Sequence, residues 1–390
     1  MVPGDAVRKN PNLKPETTIS KEIGAEVRLL DGRLTADVTY YDKYTRDQIV
    51  ESELSYLSNY QRVIINSGKI SNKGWEISVS GVPVKVKNFE WKTIFNWSKN
   101  NSMVESLPEG IDKIQIGSGV YNVKSYAEVG KPYGAIYAKT FKRDAEGYIL
   151  CQLDGSPKEG QDYEYLGCVQ ADWRGGWNNV FRLGNFSFSV MFDFQKGGKF
   201  FSQTSIQSSV DGQSVKSLEG RDADFFSRKI LGESDEERYG FMRPQNANTP
   251  TANGQIYPDW GRPKGVVLPN CRYDEDVEGL AGQQVLGYCT PERYWMHYTS
   301  RDISRFIYDA SYVKLREITV SYDLPKKWLR KTPFQTFRVA AVGRNIATLF
   351  ANTPHGLDPQ ATSTTGNAQG FERGFNLPSA TYGFDIKVSF

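Results

Sequence analysis

TYGFDIKVSF (381–390) closes the chain and reads as a β-strand. Tyr382, Phe384, Ile386, Val388 and Phe390 fall at every second place, with Gly383, Asp385, Lys387 and Ser389 between them. A period of two is the side-chain period of a strand, so one face is apolar and the other polar. Taken alone, the pattern fits an amphipathic strand packed on a soluble core equally well as one facing lipid.

The same alternation recurs upstream. Ile23, Ala25, Val27 and Leu29 lead to Asp31-Gly32, a favoured two-residue hairpin turn, and then to Leu34, Ala36, Val38 and Tyr40. Trp75, Ile77 and Val79 precede a short connection at Lys87-Asn88, after which Phe89, Trp91, Thr93, Phe95 and Trp97 resume the period. A further pair meets at Gly184-Asn185, with Phe186, Phe188, Val190, Phe192 and Phe194 on one face. Val313 and Leu315 are followed by Ile318, Val320 and Tyr322, and the slip at Glu317 predicts a bulge. Phe337, Val339 and Ala341 precede the terminal strand. No stretch shows a convincing helical period, so the chain reads as all-β and antiparallel, with about nine long strands.

The connections between these strands are lopsided. Those at residues 31–32, 87–88 and 184–185 are tight, whereas residues 102–175, 202–310 and 351–378 are long, polar and irregular. Short turns at one rim and long loops at the other distinguish outer-membrane barrels, with turns periplasmic and loops extracellular. Soluble sandwiches seldom need structureless connections of that length. KPYGAIYAKTF (131–141) would add a strand that breaks the alternation, so it is placed inside the long loop or in a hairpin with GYIL (147–150). Nine strands after a descending start cannot close a single-chain bacterial barrel, which needs an even number. The chain is therefore expected to be part of a barrel.

Composition agrees. The 390 residues have a negative mean hydropathy of -0.53, and no apolar run approaches the roughly 20 residues of a membrane helix. Aromatics at 13% and 36 glycines suit many strands and an interfacial girdle, where Trp75, Trp91 and Trp97 are placed. A net charge of +3 from interspersed charges implies no nucleic-acid surface. MVPGDAVRKNPNLKPE (1–16) lacks the apolar core of a secretion signal, which with the early first strand predicts a segment of something longer.

Several stretches together resemble SusC/RagA-type TonB-dependent outer-membrane transporters. They are NPNLKPETTISKEIGAEVRLLDGRLTADVTYYDKYTRDQIV (10–50), NSGKISNKGWEISV (66–79), VGKPYGAIYAKTFKRDAEGYIL (129–150), FDFQKGGKFFSQT (192–204), DASYVKLREITVSYDLPKKWL (309–329) and the closing GFDIKVSF. The resemblance implies a barrel of about 22 strands, plugged from within. Residues 1–390 would be its C-terminal portion, with signal peptide, TonB box and plug domain outside this chain. It also implies active import of oligosaccharides or peptides, a SusD-like surface lipoprotein as lid, and energy delivered by TonB through the missing N-terminal part. Binding and gating would do the work, so no enzyme activity is expected.

Candidate site residues follow from the loops. Tyr257, Trp260, Tyr273, Tyr288, Tyr294 and Trp295 crowd one long segment. Such rings stack on sugars or anchor protein interfaces, and they also simply pack loops. Cys151, Cys168, Cys271 and Cys289 have spacings that allow pairing of Cys151 with Cys168 and of Cys271 with Cys289, with free thiols the alternative. No zinc motif occurs, and His297 and His355 lie far from any ligand cluster. Asp274, Glu275, Asp276 and Glu278 offer oxygen donors for calcium but lack the EF-hand spacing, so a solvated acidic turn is the plainer reading. No cofactor is expected. Tyr382, Phe384, Ile386, Val388 and Phe390 are expected to be the barrel-assembly signal. Two rival readings stand beside transport. An all-β adhesin or carbohydrate-binding module would turn the Phe186–Phe194 face into a core, and a β-rich hydrolase would cluster carboxylates in a cleft.

Overall fold

The computed structural model describes residues 7–53, 60, 62–66, 68–153, 155–218, 266–289, 293–354, 356–361, 369–374 and 379–390. Nine long strands form one antiparallel sheet. They are β1 (Thr17–Leu29), β2 (Leu34–Arg46), β3 (Lys69–Val86), β4 (Phe89–Ser106), β5 (Trp173–Leu183), β6 (Phe186–Lys196), β7 (Tyr312–Asp323), β8 (Thr336–Ala351) and β9 (Thr381–Ser389). They neighbour one another in chain order, as a meander, and among the described residues β1 and β9 are its edges. The number of crossing strands is the one the alternation predicts.

Register turns nine alternating patterns into two continuous faces. Directly paired residues share a face, and the row Val27–Ala36–Val79–Phe95–Trp177–Phe192–Leu315–Ala347 crosses eight strands. A neighbouring row runs Trp91–Phe181–Phe188–Val320–Ala341–Phe384. Rings interlock along these rows, with Trp91 stacked on Phe181 at 5.9 Å and Phe181 on Phe188 at 6.1 Å. Among the described residues nothing covers this face: Phe186 is 58% and Phe188 40% exposed, and Tyr382, Phe384, Ile386 and Phe390 are more exposed still. Tyr382, Phe384, Ile386 and Val388, expected to belong to an assembly signal, thus lie on the apolar face of the edge strand β9, and Phe390 follows directly after it.

Turn chemistry sets the short rim. Arg33 N–H donates to the Leu30 carbonyl at 3.1 Å, and the central residues Asp31 and Gly32 have φ of 54° and 80°, the left-handed pair that a hairpin of this twist requires. Midway along β7 the phase slip at Glu317 is a bulge. Arg316 falls between the paired residues Leu315 and Glu317, facing an extra pair on β8 that includes Asn345 with φ 50°. Asn tolerates that left-handed conformation better than most residues.

The long connections differ from expectation. Their described parts are ordered and hold most of the buried apolar residues. A four-stranded sheet runs Glu164–Cys168, Ala135–Ala138, Lys124–Glu128, Lys113–Ser118, and three smaller sheets accompany it. Residues 135–138 therefore sit inside the loop, as expected. Arg143 bridges Ile149 in a small turn, and Ile149–Cys151 pairs in parallel with Val266–Tyr273. An eight-residue helix α1 (Gln203–Val210) is capped by Ser202, whose side chain accepts from Ser205 N–H. Three loop cores result, one around Phe141 and Trp295, one around Phe201 and Phe306, and one around Val50 and Val104. Polar composition hid them because each loop strand is short and contributes at most about four buried apolar residues, Ala135–Ala138 being the fullest.

Candidate functional site

The polar face of the sheet carries an ion-pair network where β6 and β7 meet the loop after β8. Asp193 on β6 accepts from the Arg316 guanidinium and from the Tyr312 hydroxyl at 3.3 Å. The bulge lets Arg316 reach this side, where it also donates to Asn345 Oδ1 at 2.6 Å and to Gln360 Oε1 at 2.7 Å. Lys314, only 4% exposed, donates to both Asp358 oxygens at 2.5 and 2.6 Å and to Gln360 Oε1 at 2.9 Å. Gln360 returns a bond to the Tyr312 hydroxyl at 2.6 Å. A buried lysine needs such partners, because an unpaired charge out of water is costly. The network ties residues 358–360 to the sheet.

Two cavities open beside it. One of about 440 Å³ is lined by Arg174, Asp193, Gln195, Lys199, Tyr312 and Gln360, among others. The other, about 500 Å³, extends along the polar face past Asp37, Glu76, Ser78, Asn96 and Ser98. Arg174 and Asp193 line both. The donors and acceptors converge on a space suited to a polar solute held by hydrogen bonds and charge.

The structure distributes the sequence-predicted residues elsewhere. Tyr257 and Trp260 lie outside the described residues, as do the side chains of Tyr288 and Cys289 and all of His355. Tyr273 is half-buried on the strand Val266–Tyr273, and burial raises its phenol pKa. Tyr294 and Trp295, expected to touch substrate or lid, are both 1% exposed. They pack edge to face at 5.1 Å within the Phe141 core, so in this structure they support the loop from inside rather than present a surface.

The cysteines also regroup. Cys151 and Cys271 share that core, on the adjacent strands Ile149–Cys151 and Val266–Tyr273. The two thiols interact, and hydrogen bonding from Cys151 lowers the Cys271 pKa. Cys168 lies on the other loop sheet, opposite Ala135, with its thiol donating to the Tyr133 carbonyl at 3.5 Å. The expected Cys151–Cys168 pair is not formed. Asp274 and Asp276 of the acidic run face lysine: Lys158 reaches both, and Lys142 reaches Asp274 at 2.9 Å. Among the described residues no three His, Cys, Asp or Glu side chains gather as a metal set.

Sequence reasoning missed Arg174, Asp193, Lys314 and Arg316. The signal was present as charged residues at the polar positions of otherwise greasy strands, in DWRGGW, FDFQK and YVKLRE. Charged side chains facing a barrel interior are candidates for tuning what passes it.

Comparisons with known proteins agree with this geometry. The family model described as TonB dependent receptor-like, beta-barrel matches residues 2–346. TonB-dependent receptor P3 of Formosa agariphila is 25% identical over 395 residues, which cover 96% of this chain and 33% of that protein. TonB-dependent receptor SusC of Bacteroides thetaiotaomicron is 29% identical over 104 residues, 26% of this chain and 10% of that protein. Among solved structures, the RagAB peptide transporter superposes with a TM-score of 0.60 at 17% identity, covering 98% of this chain and 36% of that one. The chain spans about a third of the length of the first of these relatives.

Proposed function

The chain belongs to the TonB-dependent receptor-like β-barrel family and resides in the outer membrane, and on that premise we propose that it forms wall and outer loops of a SusC/RagA-type importer. The cargo is an oligosaccharide or a peptide, moved without covalent chemistry. A SusD-like lipoprotein meets the loop rim, and TonB acts through a plug carried elsewhere in the complete polypeptide. One observation carries the reading: an apolar face that no described residue covers spans all nine strands, while the opposite face holds paired charges around two polar cavities. A soluble adhesin or binding module would bury Phe186 and Phe188, which are exposed. A porin-like passive channel would not need TonB, and this separates the two transport readings.

The test uses cells lacking the complete polypeptide. Uptake of labelled oligosaccharide and peptide mixtures should fall relative to the parent, and a protonophore should reduce parental uptake to the level of the deletion. Uptake that is unchanged by both treatments would sink the import reading.

A further inference from the structure

We propose that the Arg174 guanidinium receives a carboxylate of the transported solute, so that the cargo is acidic; this rests on the import reading above. Arg174 stands on the polar face of β5, opposite Ser98 of β4 and Gln195 of β6. It is exposed and lines both cavities, at their junction. Its Nε donates to Gln195 Oε1 at 2.9 Å, which fixes the plane of the group. Among the described residues neither terminal nitrogen has a hydrogen bond, and no carboxylate lies within ion-pair distance.

The neighbouring cations are different. Lys199 has Asp309 at 3.4 Å, Lys314 has Asp358, and Arg316 has Asp193. Asp193, the acid lining the same two cavities, already receives Arg316 and the Tyr312 hydroxyl. Arg174 is thus an oriented guanidinium with two outward N–H groups facing open space. That fork matches a carboxylate with two parallel bonds, which a lysine cannot reproduce. Two sources carry such a group: the terminus or acidic side chain of a peptide, and the uronate of an acidic saccharide.

The experiment uses the complete receptor, purified in detergent, and its Arg174→Gln and Arg174→Lys forms. Probes are a short peptide as free acid and as terminal amide, and a galacturonate oligomer with its methyl ester. Titration should show at least one acid binding more tightly than its neutral form. Arg174→Gln should erase the preference, roughly tenfold or more in Kd, the loss of charge-assisted hydrogen bonds. Arg174→Lys should keep part of it, and the pair that responds identifies the source. Absence of any acid preference, including no binding of either acid, overturns the proposal. So does a preference that survives Arg174→Gln. If instead an acid elsewhere in the complete polypeptide fills the fork, acid and neutral probes bind alike and Arg174→Gln lowers the thermal unfolding temperature, which also overturns it. Protonophore-sensitive uptake of neutral cargo would leave import standing while acidic cargo falls.

Discussion

The ring of Tyr41 lies over Gly74, its direct partner across the β2–β3 ladder, so that a Cβ at position 74 would strike the ring carbon and hydroxyl of Tyr41. The hydroxyl goes on to donate to Asn100 Oδ1 at 3.1 Å, and Asn100 donates to Asn72 at 3.1 Å. A glycine weakens a strand by leaving a gap, and an aromatic partner folded across it restores the packing. Gly74→Val should therefore expel the ring and also push against the Lys99 backbone carbonyl, which the new Cβ would strike as well, at a cost of about 1–3 kcal/mol or more, as overpacking does. Tyr41→Phe keeps the cover and loses one hydrogen bond, about 0.5–1.5 kcal/mol. Urea unfolding of the complete protein in detergent reads both; equal stability of Gly74→Val and parent would refute this packing role.

Trp295 offers a second expectation. It is fully buried in the loop core with Phe141, Cys151 and Tyr298. Trp295→Ala should cost about 3–5 kcal/mol of loop stability, as the loss of a buried large aromatic does. Limited proteolysis should cut residues 141–151, 266–289 and 293–298 faster while the sheet strands stay protected. Cleavage at the parental rate, combined with weakened ligand or lid binding, would instead return Trp295 to a contact role.

Asp274 gives a pH dependence outside the membrane sheet. Burial alone would raise its carboxyl pKa, but hydrogen bonds from Lys158 and Lys142 outweigh burial and hold it at about 2, below its ordinary 3.8. The folded value is the depressed one, so the contribution to stability is fully present above about pH 4 and disappears as pH falls towards 2. Amide exchange of residues 271–273, corrected for intrinsic rates, should accelerate across that window. Asp274→Asn should flatten the response; a parental profile that is already flat rules out the linkage.

Cys151 and Cys271 yield a chemical prediction. Their sulfurs face the same space beside Gly287, where an added Cβ would touch both. Mild oxidation of the complete protein with a small disulfide oxidant should link these two, the oxidant taking up two electrons and the two thiol protons. Cys168 belongs to a different loop sheet and should remain a thiol. Peptide mapping under non-reducing conditions decides it, and a Cys151–Cys168 link would count against this arrangement.

The sheet was legible because its signal is local. Period two, Asp31-Gly32 and the slip at Glu317 each report geometry within a few residues. Apolar positions facing lipid need no knowledge of a distant partner to be recognised. The loop cores were not legible for the opposite reason. Cys151 meets Cys271 and Asp274 meets Lys142 across more than a hundred residues of intervening chain, and spacing along the chain favours the wrong sulfur, Cys168. Tyr294 and Trp295 have the same composition whether they anchor a ligand or fill a core; only the fold separates the two. Arg174 was overlooked because a charge alternating with aromatics reads as a strand's wet side until register places it beside Gln195.

Phe188 and Ser189 test the two faces against each other. They are adjacent on β6, yet Phe188 pairs with Phe181 and Val320 on the apolar face, while Ser189 pairs with Val180 and Thr319 and donates to Asn178 at 3.2 Å on the polar one. A charge facing lipid costs up to about 2–4 kcal/mol at the midplane and less towards the turn rim, where Phe188 lies, whereas one facing a polar interior is tolerated. Phe188→Arg should therefore lower the outer-membrane level of the complete protein sharply. Ser189→Arg loses a single hydrogen bond, about 1 kcal/mol, and should insert nearly as well as the parent. Quantitative blotting of outer-membrane fractions compares the two. If the order is reversed, the register is one residue out and every side chain assigned to lipid belongs inside; if both insert equally, Phe188 does not face lipid.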